Sequence, residues 1–232
     1  MRALSPLIDF HSHILPGADH GSSGIEETRK QLSLLRRAGV DTVVATPHFY
    51  PHRHRAEDFL LRVASAAEKL TETDRESPRL CVGAEVLYCD CLDEMEGLER
   101  LCVRGTDVLL LELPLEVFSH DLFDTVRALT DRYTVVLAHI DRYIRAQGEG
   151  IERLLEEGAY AQINASAFFS FSERRRLSPL LGSDRIVALG SDLHNTDRKS
   201  CEQLVDARKR LGDEYDAIMA RSAALLKDAT YL

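Results

Sequence analysis

Seven short, largely apolar runs punctuate this chain, and six of them end at or beside a histidine or a carboxylate. The first is Leu7-Ile8, leading into Asp9-Phe10-His11-Ser12-His13. The others are Asp41–Thr46, Leu80–Glu85, Asp107–Leu113, Thr134–His139, Tyr160–Asn164 and Ile186–Ser191. A half-solvated strand alternates apolar and polar residues, whereas a strand apolar on both faces is covered on both. Between these runs lie amphipathic segments: Ile25–Ala38, Glu57–Leu70, Leu122–Arg132, Ile151–Glu157 and Glu173–Leu181. Cys201–Leu211 and Asp213–Asp228 follow the last run. The segment Ile25–Ala38 shows the pattern well, with acids Glu26 and Glu27 in its first turn, Arg36 and Arg37 in its last, and Gly39 as the stop. Strands alternating with helices pair in parallel. The expected fold is therefore α/β, a small seven-unit barrel. The alternative is an open doubly wound sheet, which lacks support because no Gly-x-Gly-x-x-Gly follows the first strand. A chain of 232 residues fits a single barrel domain, residues 1–232.

In a parallel barrel the C-terminal strand ends converge on one face. His11 and His13 are two apart in an extended segment and share one side. His20 follows in the next loop. His48, Glu85, Glu112 and His139 close the next four runs, and Asp192 and His194 follow the last. Six of the nine histidines thus fall at strand ends or in the loop after them, leaving His52, His54 and His120 elsewhere. Taken singly, Glu85 or Glu112 could cap a helix and Asp192 resembles an N-cap. Together they exceed what one zinc ion needs. They suit two or three divalent ions sharing a bridging carboxylate, spaced about 3.5–4 Å apart.

Composition narrows the chemistry. A net charge of −9 argues against a nucleic-acid partner, which calls for a basic stripe. It is compatible with a phosphorylated substrate if carboxylates are neutralised by metal ions. The five cysteines match no disulfide framework, and small buried thiols in a reducing, cytoplasmic compartment are expected; Cys89-x-Cys91 as a metal pair is the weaker alternative. No Cys-x5-Arg loop occurs, so no cysteine is expected as a phosphate-accepting nucleophile. There is no signal-peptide pattern and no apolar run of the roughly 18 residues that would span a membrane.

Five motifs in order carry a resemblance: Phe10-His11-Ser12-His13, Ala45-Thr46-Pro47-His48, Gly83-Ala84-Glu85, Ala138–Tyr143 and Ser191-Asp192-Leu193-His194-Asn195. They resemble the PHP (polymerase and histidinol phosphatase) superfamily, and within it the capsule-locus tyrosine phosphatases of CpsB/CapC type. The loop from His13 to Gly21 is similar to the one those proteins carry after their His-x-His. The resemblance implies a distorted seven-stranded TIM-like barrel, the PHP fold, with about three divalent ions, usually manganese; zinc or iron is the alternative. It implies a first ion on His11, His13, Glu85 and Asp192. Glu85 would bridge to a second on Glu112 and His139, and a third would take His48, His194 and a residue of the loop after His13. The family has Asp-Asp-Gly where this chain has Asp19-His20-Gly21, so His20 is the expected ligand, with Asp19 as the alternative. Arg142 resembles the phosphate-contacting arginine. Arg198 is the candidate for a second, with Lys199 as the alternative. Asp141, where the family has Glu, is a candidate general acid.

The implied activity is hydrolysis of phosphotyrosine on a bacterial tyrosine kinase, in capsule or exopolysaccharide regulation, by metal-activated water without a covalent intermediate. The alternatives are a small-molecule phosphatase, such as a histidinol phosphatase, or a non-catalytic metal-binding module that contacts a kinase. Members of the family can form larger rings, which leaves a homo-oligomer open. After His48, Phe49 and Tyr50 are expected to hold an aromatic ring, and Arg53 and Arg55 to attract an acidic peptide.

Overall fold

The computed structural model describes residues 6–71, 74 and 78–232, so the first five residues of the expected domain lie outside it. The strands are β1 (Ile8–Ser12), β2 (Thr42–Ala45), β3 (His48–Phe49), β4 (Arg79–Val82), β5 (Glu85–Leu87), β6 (Val108–Glu112), β7 (Thr134–Leu137), β8 (Tyr160–Asn164) and β9 (Ile186–Gly190). Every pairing between them is parallel. They form two sheets, β1-β2-β4 and β3-β5-β6-β7-β8-β9.

The nine pieces are seven runs. β2 and β3 are one run broken at Thr46-Pro47, where proline lacks a donor and restricts the residue before it. β4 and β5 are one run broken at Gly83-Ala84. There the backbone packs closely on Val103, and a Cβ on Gly83 would lie 3.1 Å from Val103 Cγ2. Pairing continues across both breaks, through Gly83 N–H to Ala45 O at 2.9 Å and Glu85 N–H to Pro47 O at 3.1 Å. At the far end β9 returns beside β1. Asp192 N–H donates to His11 O at 2.9 Å, His13 N–H donates to Leu193 O at 3.0 Å, and Ser12 bridges Leu193. The runs follow chain order around the ring with no reversal. That is the barrel expectation and not the doubly wound one, in which strand order reverses at a switch point.

Among the described residues the helices given a range are α1 (Ile25–Ala38), α2 (Ala56–Glu68), α3 (His120–Thr130), α4 (Ile144–Glu156), α5 (Phe171–Leu177), α6 (Arg198–Asp206), α7 (Arg208–Leu211) and α8 (Asp213–Leu225). α1 has the expected bounds, and Gly39 ends it at φ 88°, its N–H reaching Arg36 O and Leu35 O. α4 begins seven residues before the expected Ile151, because two helical pieces join across a kink at Gln147 (φ −139°, ψ 34°). Gln147 is held there by its own side chain: Oε1 accepts from Phe118 N–H at 2.8 Å and Nε2 donates to Glu116 O at 2.6 Å. α5 starts earlier than expected, at a Ser170 cap that accepts from Glu173 N–H. Between β5 and β6 the chain makes two 3-10 turns, Leu92–Glu94 and Leu98–Leu101, in place of a barrel helix.

The strands bury Val43, Val44, Leu109, Leu111, Val136, Leu137, Ile163 and Leu189 completely. Each such side chain contributes roughly 1.5–3 kcal/mol relative to exposure. All five cysteines are unpaired. Cys81, Cys102 and Cys201 are buried as expected, but Cys91 is exposed, because it starts a surface 3-10 turn in the left-handed region (φ 59°). Among the described residues no helix is long and apolar enough to cross a membrane.

Candidate metal centre

Glu85 is the hub of the strand-end face. It is fully buried, and its carboxylate meets four imidazoles. Oε1 lies 2.7 Å from His139 Nε2, and Oε2 lies 3.0 Å from His48 Nδ1, 3.1 Å from His11 Nε2 and 3.3 Å from His13 Nε2. Each neighbour comes from a different strand end, except His11 and His13, which share β1 and its extension. Around this hub four overlapping sets bring one donor atom from each member within 4.8 Å of the others. The sets are His11/His13/Asp192, His11/Glu85/His139, His48/Glu85/Glu112 and His13/His48/His194. All eight strand-end residues singled out from the sequence are therefore gathered in one place.

The rings are aimed by a second layer of polar groups. His11 Nδ1 faces Gln162 Oε1 at 3.1 Å, and His13 Nδ1 faces Asp19 Oδ2 at 2.7 Å. His194 Nδ1 faces the Asp192 carbonyl at 3.0 Å. Each contact assigns the proton to Nδ1 and leaves the Nε2 lone pair facing the cluster, as a metal ligand needs. Gln162 also accepts from His139 N–H at 2.7 Å and donates to Asn164 Oδ1 at 3.0 Å; Asn164 Nδ2 donates to Asp192 Oδ2 at 3.1 Å. His139 (φ 31°) and Asp192 (φ 53°) both sit in the left-handed region. For residues other than glycine that strain persists only where surroundings enforce it. Asp9 is buried too, and accepts from Ser191 N–H and Oγ at 2.8 and 2.6 Å.

The donor set fits divalent ions. His48 Nδ1 and Glu85 Oε2 lie 3.0 Å apart, and both buried atoms lack a hydrogen-bond partner among the described residues. His11 Nε2 and His13 Nε2 point at each other across 3.1 Å, two basic nitrogens competing for one positive charge. Burial opposes charging of His11 and His13, yet Glu85 and Asp192, with Asp19 for His13, outweigh it and draw both upward. Burial likewise favours a protonated Glu85, but His11, His13 and His139 hold it well below the usual carboxylate range. Glu112 is raised by burial and by the Glu85 charge, and His194 is lowered to about 4 by burial and by His13. A pocket of carboxylates that recruits positive charge this strongly, from oxygen and imidazole donors without thiolate, suits divalent transition metals.

His20 is exposed and outside the four tight sets, but its ring stacks on His48 (centroids 4.6 Å, 11°) and lies 4.8 Å from His194. Asp19 is committed to buttressing: besides His13 it accepts from His48 N–H at 2.9 Å and Gly21 N–H at 2.9 Å. Gly21 is required there, since a Cβ would come within 2.3 Å of His13 O. Of the two loop candidates, we propose His20 as the ligand, because Asp19 already serves three donors. His20→Ala is expected to lower metal content by a fraction of the total, and His20→Asp to retain it with a shift toward manganese. Elemental analysis of both variants checks this, and unchanged content in His20→Ala refutes it.

Arg142 stands at the rim, its guanidinium on Asp192 Oδ2 and 3.9 Å from Glu112 Oε1, its side chain 41% exposed. Asp141 Oδ1 accepts from Asn164 N–H at 2.8 Å, and burial pushes its carboxyl up to about 6. Two expectations need correction. Arg198 is not directed into the cluster: its Nε lies 2.6 Å from Glu202 Oε1, one turn along the same helix, and it lines a surface cavity with Leu34, Arg37 and Ala38 of α1. Phe49 cannot hold a substrate ring. It is fully buried with its ring edge-on to Phe59 at 5.2 Å, because neighbours in a strand face opposite sides. Tyr50, on the same side as His48, stacks on that ring at 5.2 Å and carries Arg53 over its own at 5.6 Å. The sequence reading missed Asp19, Gln162 and Asn164 as orienting groups. Gln162 and Asn164 alternate in an otherwise apolar strand, which was their one legible signal.

Together the barrel and its cluster define the class: a metal-dependent barrel hydrolase. The chain belongs to the family described as "Capsular polysaccharide synthesis, CpsB/CapC", which matches residues 7–226. It is 28% identical to tyrosine-protein phosphatase CpsB of Streptococcus pneumoniae over 211 residues, 83% of this chain and 85% of that protein. It is 24% identical to tyrosine-protein phosphatase YwqE of Bacillus subtilis (strain 168) over 233 residues, 95% of this chain and 91% of that protein. A crystal structure from work on YwqE and CpsB, described as unique metal-dependent tyrosine phosphatases, superposes with a TM-score of 0.80 at 22% identity, covering 97% of this chain and 96% of that one.

Proposed function

We propose that this chain is a protein-tyrosine phosphatase acting, in the cytoplasm, on the phosphotyrosine-bearing tail of a bacterial tyrosine kinase that controls capsule or exopolysaccharide synthesis. The observation that carries the reading is Arg142 beside Asp192 and Glu112: a planar cation at the open edge of a buried histidine–carboxylate cluster. That pairing suits a dianionic phosphoryl group, and the family membership and the named relatives support it.

His11, His13, Glu85 and Asp192 would hold one ion, Glu85 with Glu112 and His139 a second, and His48, His194 and His20 a third. Manganese is the expected metal, with zinc or iron suited to the same donors. Such ions, when bound, supply an activated water and positive charge for phosphoryl transfer. The protein's own groups do the rest. Gln162 and Asp19 hold His11 and His13 in the tautomers that present Nε2. Arg142 binds two phosphoryl oxygens through its fork, and Asp192 fixes its aim. Tyr50 flanks the cluster with a ring face for the substrate phenol, and exposed Arg53 and Arg55 attract acidic flanking residues. Asp141, next to Arg142 in the chain, is the proposed proton donor to the leaving oxygen.

The test is kcat/KM for a phosphotyrosyl peptide, a phosphoseryl peptide and histidinol phosphate on one preparation. The phosphotyrosyl peptide is expected to lead by tenfold or more, with hydrolysis lost on chelation and restored by manganese. A tenfold lead for histidinol phosphate would move the assignment to a small-molecule phosphatase.

A further inference from the structure

The segment after β8 carries a feature that the strand-end chemistry does not use. The chain leaves the barrel at Asn164, makes a 3-10 turn over Ala165–Phe169, and enters α5. α5 is pinned by buried Leu177 and carries three consecutive arginines, Arg174, Arg175 and Arg176, none of which forms an ion pair among the described residues. Across from it, α7 presents Arg208, Lys209 and Arg210. Arg208 is paired with Asp216 and Lys209 with Asp206, but Arg210 has no carboxylate partner among the described residues and lies over the Phe169 ring at 5.5 Å. Between α5 and α7 is a cavity of about 480 Å³. Arg174, Arg175 and Arg210 line it with Phe171, Pro179 and Leu211, and no acid is among its lining residues. Phe171 is 74% exposed, an unusual cost for a large ring on a surface.

On a chain of net charge −9, an acid-free concavity with three arginines and an exposed aromatic ring is a local reversal of sign. Like charges gathered without counterions repel one another, and an incoming anion relieves that repulsion. The aromatic and proline walls add contact for an apolar or aromatic side chain and a cation–π partner for the arginines. The feature is concave, which suits a chain segment better than a flat lipid surface. It also follows the C-terminal end of a barrel strand, so its chain starts on the face that carries the cluster.

We infer that the groove between α5 and α7 is a second docking site, binding an acidic, aromatic-bearing peptide segment that flanks the phosphorylated residue. The identity of that peptide as substrate rests on the phosphatase reading; the groove's preference for acidic peptides does not.

The experiment uses the full chain and a charge-reversed variant, Arg174→Glu with Arg175→Glu and Arg210→Glu, beside the milder Phe171→Ser. Two quantities are read. The first is binding of a fluorescent, unphosphorylated Glu/Tyr-rich peptide at several salt concentrations. The second is kcat/KM for free phosphotyrosine and for a long acidic phosphotyrosyl peptide. The reversal is expected to weaken peptide binding tenfold or more and to flatten its salt dependence. It should lower kcat/KM for the long peptide by a similar factor and leave free phosphotyrosine within twofold. Phe171→Ser should weaken binding several-fold at unchanged salt slope. Peptide binding equal to the parent chain in both variants overturns the inference, as does a loss of peptide binding that leaves kcat/KM for the long peptide unchanged. If the parent binds the peptide but hydrolyses no phosphotyrosine, the phosphatase reading fails and the groove stands.

Discussion

Glu85→Ala is expected to strip the centre of most of its metal and to lower hydrolysis by on the order of a thousandfold or more, the scale of losing a metal-activated nucleophile. The reason is geometric. The Glu85 carboxylate is within 3.3 Å of imidazole nitrogens from His11, His13, His48 and His139, and among the described residues no other carboxylate meets so many this closely. Removing it takes away the one anion central to the face and leaves four basic rings turned toward an empty volume. Glu85→Gln keeps the shape but not the charge, and should fall between the two. Elemental analysis and a melting curve with and without added manganese separate the outcomes: bound metal stabilises the native state by mass action, so the alanine variant should lose its manganese-dependent rise in Tm. Full metal content with an unchanged rate in Glu85→Ala would show that this cluster is not the reaction centre.

Arg142→Ala is expected to lower kcat/KM by about a hundred- to a thousandfold, roughly 2.7–4 kcal/mol of transition-state stabilisation, comparable to removing an oxyanion donor. Unlike the Glu85 variant it should keep its metal. Arg142 is a cation beside Asp192 and Glu112, and its loss makes those carboxylates better, not worse, neighbours for an ion. Arg142→Lys should recover only part of the rate, since a point charge cannot reproduce the bidentate fork. A loss of rate that tracks a loss of metal in Arg142→Ala would assign the residue to holding the centre together and not to the phosphoryl group.

Much of this arrangement is legible in the sequence, because it depends on periods and on where apolar runs stop. Seven apolar runs in chain order gave the barrel, and the residues at their ends gave the cluster. What could not be read depends on contacts between distant residues. Gln162 meets His11 across 151 positions, and nothing local to either says so. Asp19 lies in the loop after His13, and its hydrogen bonds from His13, His48 and Gly21 join residues up to 29 positions apart that no local pattern connects. Two further features follow from local direction. Phe49 and Tyr50 are adjacent in an extended segment and cannot both face the cleft. Arg198 and Glu202 are four apart on a helix, the spacing of an ion pair. Both constraints are local, set by side-chain direction in a strand and by the i, i+4 spacing of a helix.

The strand β8 is the exception on the ring, since its inward side chains are the amides Gln162 and Asn164 and neither carries charge. An amide can steer a histidine or a carboxylate without competing for a cation. The strand end is therefore fixed by its hydrogen bonds, while the loop and helix that leave it owe nothing to metal binding. Over evolutionary time such a segment can lengthen, change charge or change partner while the chemistry beside it stays intact. In this barrel, variation between relatives with different targets should collect in the stretch that begins at Ala165.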